Sequence, residues 1–364
     1  MPSTAGPVAS IAPVSLNPAE LFRPGRQTLA GVPEGAEATL APLLLRARPG
    51  STLALVTADD AHLARAAAAL RFFQPGVEVL EVPAWDCLPY DRVSPHRDIL
   101  ARRIDALTRL KEPAGPAGRV VVTTVNALVQ RLPPRERLWP RVLLAKAGST
   151  LAPESLIEAL SKSGYQRADT ASEPGEYAVR GGLIDVFPAG AEAPLRLDFF
   201  GDTLETLRIF DPLSQRTTGK GTALVLKPVS EVQLDPDSVE RFRSAYRERF
   251  GSGRDDPLYE AVSEGRFYGG LEHWLAFFHT GLETLFDYLP AEALYLLDHR
   301  AEALRDQRLA QVREFHQARV AAQKNREEGG APYRPLEPEA LYLPEAEWDR
   351  LLGRHANALL SPFQ

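Results

Sequence analysis

The residues with the clearest potential for recognition chemistry lie in two alternating apolar and polar runs within residues 195–210. The runs flank Gly201-Asp202, a dipeptide typical of a two-residue β-hairpin turn. Because side chains alternate along a strand, Arg196, Asp198 and Phe200 are predicted to share the face that points away from the core. The predicted core-facing residues of the same strand are Leu195, Leu197 and Phe199. An arginine beside an aromatic residue on an outer face is typical of a protein-interaction anchor.

The alternation leaves two interpretations of this outer face open. In the first, Arg196 and Phe200 are anchors for a partner protein. In the second, Arg196 forms an ion pair with Asp198, and Phe200 covers a second small core.

Patterns for catalysis or metal binding are missing from the sequence. The seven histidines show no metal-ligand spacing, and no serine lies in a Gly-x-Ser-x-Gly context. The sequence therefore predicts no catalytic residue, no metal site and no cofactor. Gly219-Lys220 is not a phosphate-binding loop, because Ser214 stands where that motif needs its first glycine. The single cysteine, Cys87, excludes an internal disulfide, is typical of a cytoplasmic protein, and is predicted to be a buried, inert thiol.

Composition limits the classes of partner. A chain of 364 residues suggests two or three domains, and its net charge of −6 argues against a duplex-DNA binder. Arginines are concentrated in residues 92–109, but Asp98 and Asp105 lie among them, which favours a mixed, solvated helix face. No run is apolar enough for a membrane span, and residues 1–16 are predicted to be a flexible tail and not a signal peptide.

The order of predicted elements indicates the architecture that positions these residues. Strands and helices alternate through residues 17–141, which predicts a parallel sheet with crossover helices. Short strands with turn signals fill residues 142–228, and mainly helical patterning returns through residues 229–348, with residues 349–364 as a tail or linker. The fold class predicted is α/β, with one parallel-sheet domain split in two by an inserted α+β domain.

Several motifs carry a family resemblance over roughly residues 20–345. The stretch from Gly175 to Pro212 resembles domain 2 of the excision-repair helicase UvrB, and still more the same domain of the bacterial transcription-repair coupling factors (Mfd). Trp85 to Asp91, Gly270 to Trp274 and Phe286 to Pro290 resemble neighbouring parts of the same family, in the same order. The resemblance implies a helicase-type, RecA-like and P-loop-derived fold with domains 1A (17–141), 2 (142–228) and 1B (229–348).

The resemblance also implies the position of a nucleotide site, which is degenerate here. Aligned on Gly31, the position of the phosphate-binding lysine holds Glu37, and the position of the magnesium-binding hydroxyl holds Ala38. In the second motif Asp298 is kept, but the following glutamate is replaced by His299. A carboxylate at position 37 repels phosphates, so this chain is predicted to lack ATPase activity.

The remaining intact features are those of domain 2, which in the family docks UvrA, the damage-recognition ATPase. Arg180, Arg196 and Phe200 match the family residues that contact UvrA. The tyrosine-rich hairpin that UvrB inserts into DNA has no counterpart between Tyr90 and the helix predicted near Asp98. The predicted function is thus a non-catalytic module that recruits UvrA to stalled RNA polymerase, by mimicking the UvrA-binding face of UvrB.

The resemblance implies further activities outside this chain. The longer family protein binds RNA polymerase and is an ATP-dependent DNA translocase through other domains. For this module we expect a cytoplasmic monomer without direct DNA binding. The alternative left open is a nucleotide-dependent, UvrB-like protein that binds damaged DNA.

Overall fold

The computed structural model describes residues 17–324 and 332–363 of the chain. The tail predicted at residues 1–16 lies outside the described residues. In chain order the strands are β1 (Gly25–Leu29), β2 (Thr52–Thr57), β3 (Glu78–Val82), β4 (Arg119–Thr124), β5 (Leu143–Ala145), β6 (Gln166–Arg167), β7 (Glu176–Arg180), β8 (Leu183–Val186), β9 (Leu195–Phe200), β10 (Thr203–Phe210), β11 (Thr217–Lys220), β12 (Leu224–Leu226), β13 (Leu294–Asp298) and β14 (Ala356–Leu360).

The α-helices are α1 (Glu37–Ala47), α2 (Asp60–Phe73), α3 (Arg97–Arg109), α4 (Val125–Leu128), α5 (Arg135–Leu138), α6 (Pro153–Lys162), α7 (Pro236–Phe250), α8 (Pro257–Ser263), α9 (Leu275–Phe278), α10 (Leu285–Tyr288), α11 (Ala301–Lys324) and α12 (Glu345–Leu352). Short 3₁₀ turns occupy Pro18–Phe22, Trp139–Arg141, Leu271–Trp274 and Pro338–Ala340. None of the helices in the described ranges is long and apolar enough to cross a membrane.

The larger sheet is six-stranded and parallel throughout, in the order β1-β14-β13-β2-β4-β3. Alternate residues of each strand pack on opposite sides. Leu53 and Leu55 join a core with α1 and α2, whereas Ala54 and Val56 join a core with α7 to α12. A sheet buried on both faces needs continuous apolar strands, and β2 is buried at every position. The predicted α/β fold, with a parallel sheet built from two separate chain segments, is confirmed.

The inserted unit contains the second six-stranded sheet, in the order β11-β10-β9-β8-β7-β6. All of its pairings are antiparallel except β6 with β7. One face packs against α6 through a core that includes Leu156, Leu160 and Leu197. Helix α3 contacts this unit, because Oδ1 of Asp105 accepts a hydrogen bond from Nζ of Lys227 at 2.5 Å.

The prediction that residues 349–364 form a tail or linker is wrong. Helix α12 crosses the predicted boundary, and β14 pairs in parallel with both β1 and β13 inside the larger sheet. The sequence of β14, Ala-Asn-Ala-Leu-Leu, lacks the β-branched and aromatic residues that mark strands. The position of β14 in the sheet is determined by its burial between two neighbouring strands, and local strand propensity does not reflect such burial. The boundaries predicted near residues 141 and 228 stay predictions.

Candidate docking face

The outer face of the second sheet brings together the three residues predicted as anchors. Strand register sets Arg180 opposite Leu183, and Leu183 opposite Asp198. Asp198 lies between Arg196 and Phe200 on β9, so all three predicted residues project from the same face. We call the surface formed by Arg180, Arg196, Asp198, Phe200 and Arg208 the docking face.

Arg196 is held firmly by its neighbours on this face. Its Nε and Nη2 each donate to a different carboxylate oxygen of Asp185 at 2.7 Å, and its guanidinium lies 4.8 Å from the centre of the Phe210 ring. The side chains of Arg196 and Asp185 are only 16% and 3% exposed. The hydrogen bond to Asp185 raises the pKa of Arg196 above its usual value. This bidentate pair fixes the guanidinium in one orientation.

The ion pair between Arg196 and Asp198 that the sequence left open does not form. Asp198 instead accepts a hydrogen bond from Arg208 Nη2 at 2.6 Å. Asp185 lies directly opposite Arg196 on the neighbouring strand, where Cβ atoms are about 4.5–5.5 Å apart, closer than residues two apart on one strand. Asp185 is therefore the ion-pair partner of Arg196 that the sequence analysis missed. The sequence feature that could have indicated it is a single carboxylate between two apolar residues, Ile184 and Val186.

Phe200 does not cover a second core. It is 77% exposed, whereas the preceding Phe199 is buried. The two-residue turn predicted at Gly201-Asp202 is confirmed, because Phe200 pairs with Thr203 and Gly201 adopts a positive φ of 57°. The hairpin thus presents a large aromatic ring to solvent at the end of the docking face.

Arg180 ends β7 and is exposed. Its Nη2 donates to the backbone carbonyl of Asp169 at 2.7 Å, which leaves its other N–H groups available. An exposed arginine fork and an exposed aromatic ring on one rigid sheet can bind acidic and apolar groups of a partner surface at the same time.

The predicted nucleotide site corresponds to a cavity of about 290 Å³ at the carboxyl ends of the parallel strands. This is the edge at which open α/β sheets bind ligands. Glu37, Asp298 and His299 all line the cavity. Gly31 takes a positive φ of 72° in the loop before α1, and Ala38 is buried in the first turn of that helix and offers no hydroxyl.

Glu37 occupies the helix terminus at which a P-loop would hold phosphate. It is the first residue of α1, and its Oε1 lies 3.1 Å from Nε2 of His62. His62 lies in the first turn of α2, where its backbone N–H donates to Oδ1 of the N-cap residue Asp59 at 2.7 Å. Burial would raise the pKa of Glu37, but hydrogen bonds from His62 and from the amides of Glu37 and Gly35 lower it below its usual value. The chain's own carboxylate thus fills the anion position.

Asp298 is also engaged within the chain. Its two carboxylate oxygens accept from Nε and Nη2 of Arg300 at 3.0 and 3.2 Å. Burial acts to raise the pKa of Asp298, and the hydrogen bonds from Arg300 more than offset it, so that the pKa is lowered. His299 Nδ1 lies 3.5 Å from the same carboxylate, in the position that a glutamate holds in the family motif. A pocket with Glu37 in place and no lysine does not fit a nucleoside triphosphate with magnesium.

The segment that would hold a DNA-probing hairpin contains none. Residues 83–96 are all described, and none of them lies in a strand. Trp85 and Tyr90 are 5% and 1% exposed, so they pack in the core and do not form a stacking platform for bases. On α3, Arg103 is fully buried with Glu231, while Arg102 and Arg109 are paired with carboxylates on both sides. The predicted mixed, solvated face is confirmed for Arg102 and Arg109 and is wrong for Arg103, whose side chain is buried with its counter-ion Glu231.

Comparison with known proteins places these features in a family context. A family model described as the UvrB interaction domain matches residues 143–231, which include the whole docking face. The chain is 37% identical over 278 residues to the transcription-repair-coupling factor of Haemophilus influenzae, covering 76% of this chain and 23% of that protein. It is 35% identical over 322 residues to the transcription-repair-coupling factor of Escherichia coli, covering 88% of this chain and 27% of that protein.

A more distant relative has the same description. The transcription-repair-coupling factor of Bacillus subtilis is 28% identical over 216 residues, covering 55% of this chain and 18% of that protein. The chain spans about a quarter of the length of the first two relatives. The sequence, the split parallel sheet and the inserted UvrB interaction domain together identify the chain as similar to the UvrB-like N-terminal module of the transcription-repair-coupling factors.

Proposed function

We propose that this chain is a non-catalytic adaptor module of transcription-coupled repair, which recruits UvrA through the docking face. The observation that carries the proposal is Phe200, a large aromatic side chain left 77% exposed on a rigid hairpin beside Arg180 and Arg196. Exposed aromatic residues flanked by arginine are the residue types that dominate binding energy in protein interfaces. In the longer protein, other domains would contact RNA polymerase and DNA.

The test is calorimetric titration of the chain into purified UvrA. We expect Phe200→Ala to weaken binding by about 2 kcal/mol or more, a typical hot-spot loss. Phe72→Ala is the matched control, because Phe72 on α2 is similarly exposed, at 80%. Arg180→Ala should also weaken binding, with Lys162→Ala on α6 as its control. Failure of the folded wild-type chain to bind UvrA would refute the proposed function.

The non-catalytic part of the proposal rests on Glu37. A phosphate at the start of α1 would lie against this carboxylate, and two like charges about 4 Å apart repel by roughly 4 kcal/mol at an effective dielectric of 20. We therefore expect Mg-ATP to cause no shift in the melting temperature and no hydrolysis with or without DNA. Saturable ATP binding would contradict this part while leaving UvrA recruitment standing.

The alternative, a UvrB-like protein that loads on damaged DNA, has less support. It requires a probing element between β3 and α3, where residues 83–96 form only turns and loops. Salt-sensitive binding of this chain to damaged duplex, stronger than to undamaged duplex, would reverse this preference.

A further inference from the structure

Three cationic residues lie side by side across neighbouring strands of the second sheet. Arg196 on β9 is directly opposite Arg208 on β10, and Arg208 is directly opposite Lys220 on β11. Like charges directly opposite each other destabilise a sheet. Two of these cations have counter-ions beside them, Asp185 for Arg196 and Asp198 for Arg208, so the row keeps one net positive charge.

The three cations differ in how far they are already engaged. Arg196 is 16% exposed and has both Nε and Nη2 committed to Asp185. Arg208 is 40% exposed and donates to Asp198, which is 34% exposed. Lys220 is exposed, and within residues 17–324 and 332–363 it has no ion-pair partner. Among these three residues, Lys220 therefore has no counter-ion in the described part of the chain, and the partly exposed Arg208 can bind a second carboxylate beside Asp198.

We propose that Arg208 and Lys220 form a second contact area of the docking face, which recognises carboxylates on the surface of UvrA. This inference rests on the proposed function and extends it to two residues beyond Arg180, Arg196 and Phe200. In the free chain Asp198 holds the guanidinium of Arg208 in place. In the complex a carboxylate of the partner binds the remaining N–H groups of Arg208 and the ammonium of Lys220.

A protein partner suits this area better than nucleic acid. Binding of a phosphate backbone needs many cations, and the chain's net charge of −6 together with Asp198 among the cations limits the positive charge of this face. An arginine fork can instead share two carboxylates, one from Asp198 and one from a partner protein. Phe200 follows Asp198 by two residues on the same face and is 77% exposed, which gives the area an apolar anchor. Apolar anchors beside charged groups of one sign are typical of protein interfaces with electrostatic complementarity.

The test measures rates of association and dissociation with UvrA by surface plasmon resonance at several salt concentrations. Exposed charges at an interface act mainly on the association rate and its salt dependence. We expect Arg208→Gln and Lys220→Gln each to slow association about threefold at low salt, and the double variant about tenfold, with little change in dissociation. The differences should vanish near 1 M salt, where charges are screened beyond about 3 Å.

Two matched variants sharpen the comparison. Lys162→Gln removes an exposed cation that pairs with Glu158 on α6, which packs on the opposite face of the sheet, and should leave association unchanged. Asp198→Asn removes the internal counter-ion of Arg208 and should speed association about threefold, the opposite sign from the cation variants.

The other possible results of these binding experiments would overturn the proposed contact area of Arg208 and Lys220. Unchanged association in the double variant, with binding still lost in Phe200→Ala, would overturn this inference and leave UvrA recruitment intact. An equal loss in Lys162→Gln would reduce the effect to net charge and would also overturn it. Binding of undamaged duplex DNA that the double variant abolishes would assign the area to nucleic acid instead. Absence of UvrA binding by the wild-type chain would remove both proposals.

Discussion

Replacing Arg196 by alanine tests whether this residue supports the docking face as well as contacting a partner. The change leaves the Asp185 carboxylate, which is 3% exposed, without the two hydrogen bonds it receives now. Breaking a fully buried ion pair costs about 3–5 kcal/mol. Because the Arg196 side chain is 16% exposed and water can reach part of the vacated space, we expect about 2–3 kcal/mol of lost stability in the inserted unit.

Hydrogen exchange measured by mass spectrometry is the suitable assay. The four tryptophans, Trp85, Trp139, Trp274 and Trp348, all lie outside residues 143–231, so their fluorescence does not report on this unit. The expected loss corresponds to roughly 30- to 150-fold faster exchange of the amides of β8 and β9. Removing both partners, in Arg196→Ala with Asp185→Ala, should restore part of the protection but not UvrA binding.

Arg208→Ala is the matched control for stability. It breaks an ion pair whose side chains are 40% and 34% exposed, so its cost should stay below about 1 kcal/mol. Unchanged exchange of β8 and β9 in Arg196→Ala would refute the reasoning. The whole effect of Arg196 on UvrA affinity would then come from direct contact.

Three further predictions concern titratable groups outside the docking face. In the folded chain the pKa of Glu37 is lowered and the pKa of His62 is raised. Their ion pair should therefore stabilise the fold most between about pH 4.5 and 6.5, and less on either side. Melting temperatures of His62→Gln measured across this pH range should lack that maximum. Burial raises the pKa of Glu272 to about 7, although Ser94 donates a hydrogen bond to its carboxylate. Between about pH 4.5 and 7 this carboxyl ionises only in the unfolded chain, so the stability of the fold should decrease over that range. In Glu272→Gln the decrease should be smaller. Cys87 is half-buried and not fully buried as predicted, and its partial burial raises the pKa of the thiol to about 12. A thiol reagent at pH 8 should therefore label the folded chain far more slowly than the unfolded chain, and equal rates would contradict this pKa shift.

The sequence by itself determined which side chains share a face of the hairpin. Side-chain alternation has a fixed period of two, and Gly201 permits the turn, so the shared outward-facing positions of Arg196 and Phe200 could be predicted without the structure. It also determined the alternating strands and helices of the parallel sheet, since apolar runs such as β2 and β4 are buried throughout. The sequence also showed that Glu37 replaces the phosphate-binding lysine and that Ala38 replaces the hydroxyl residue, because a phosphate loop needs those groups at fixed spacing.

Only the tertiary structure decided which groups meet. Asp185 pairs with Arg196 because strand register places it directly opposite, a relation that local sequence does not encode. Glu37 meets His62 across two helices because both helices begin at the same edge of the sheet. Strand β14 carries no local strand signal and is fixed by the space between β1 and β13. In each case the deciding energy is a contact between segments far apart in the chain, and such a contact exists only after the segments have packed.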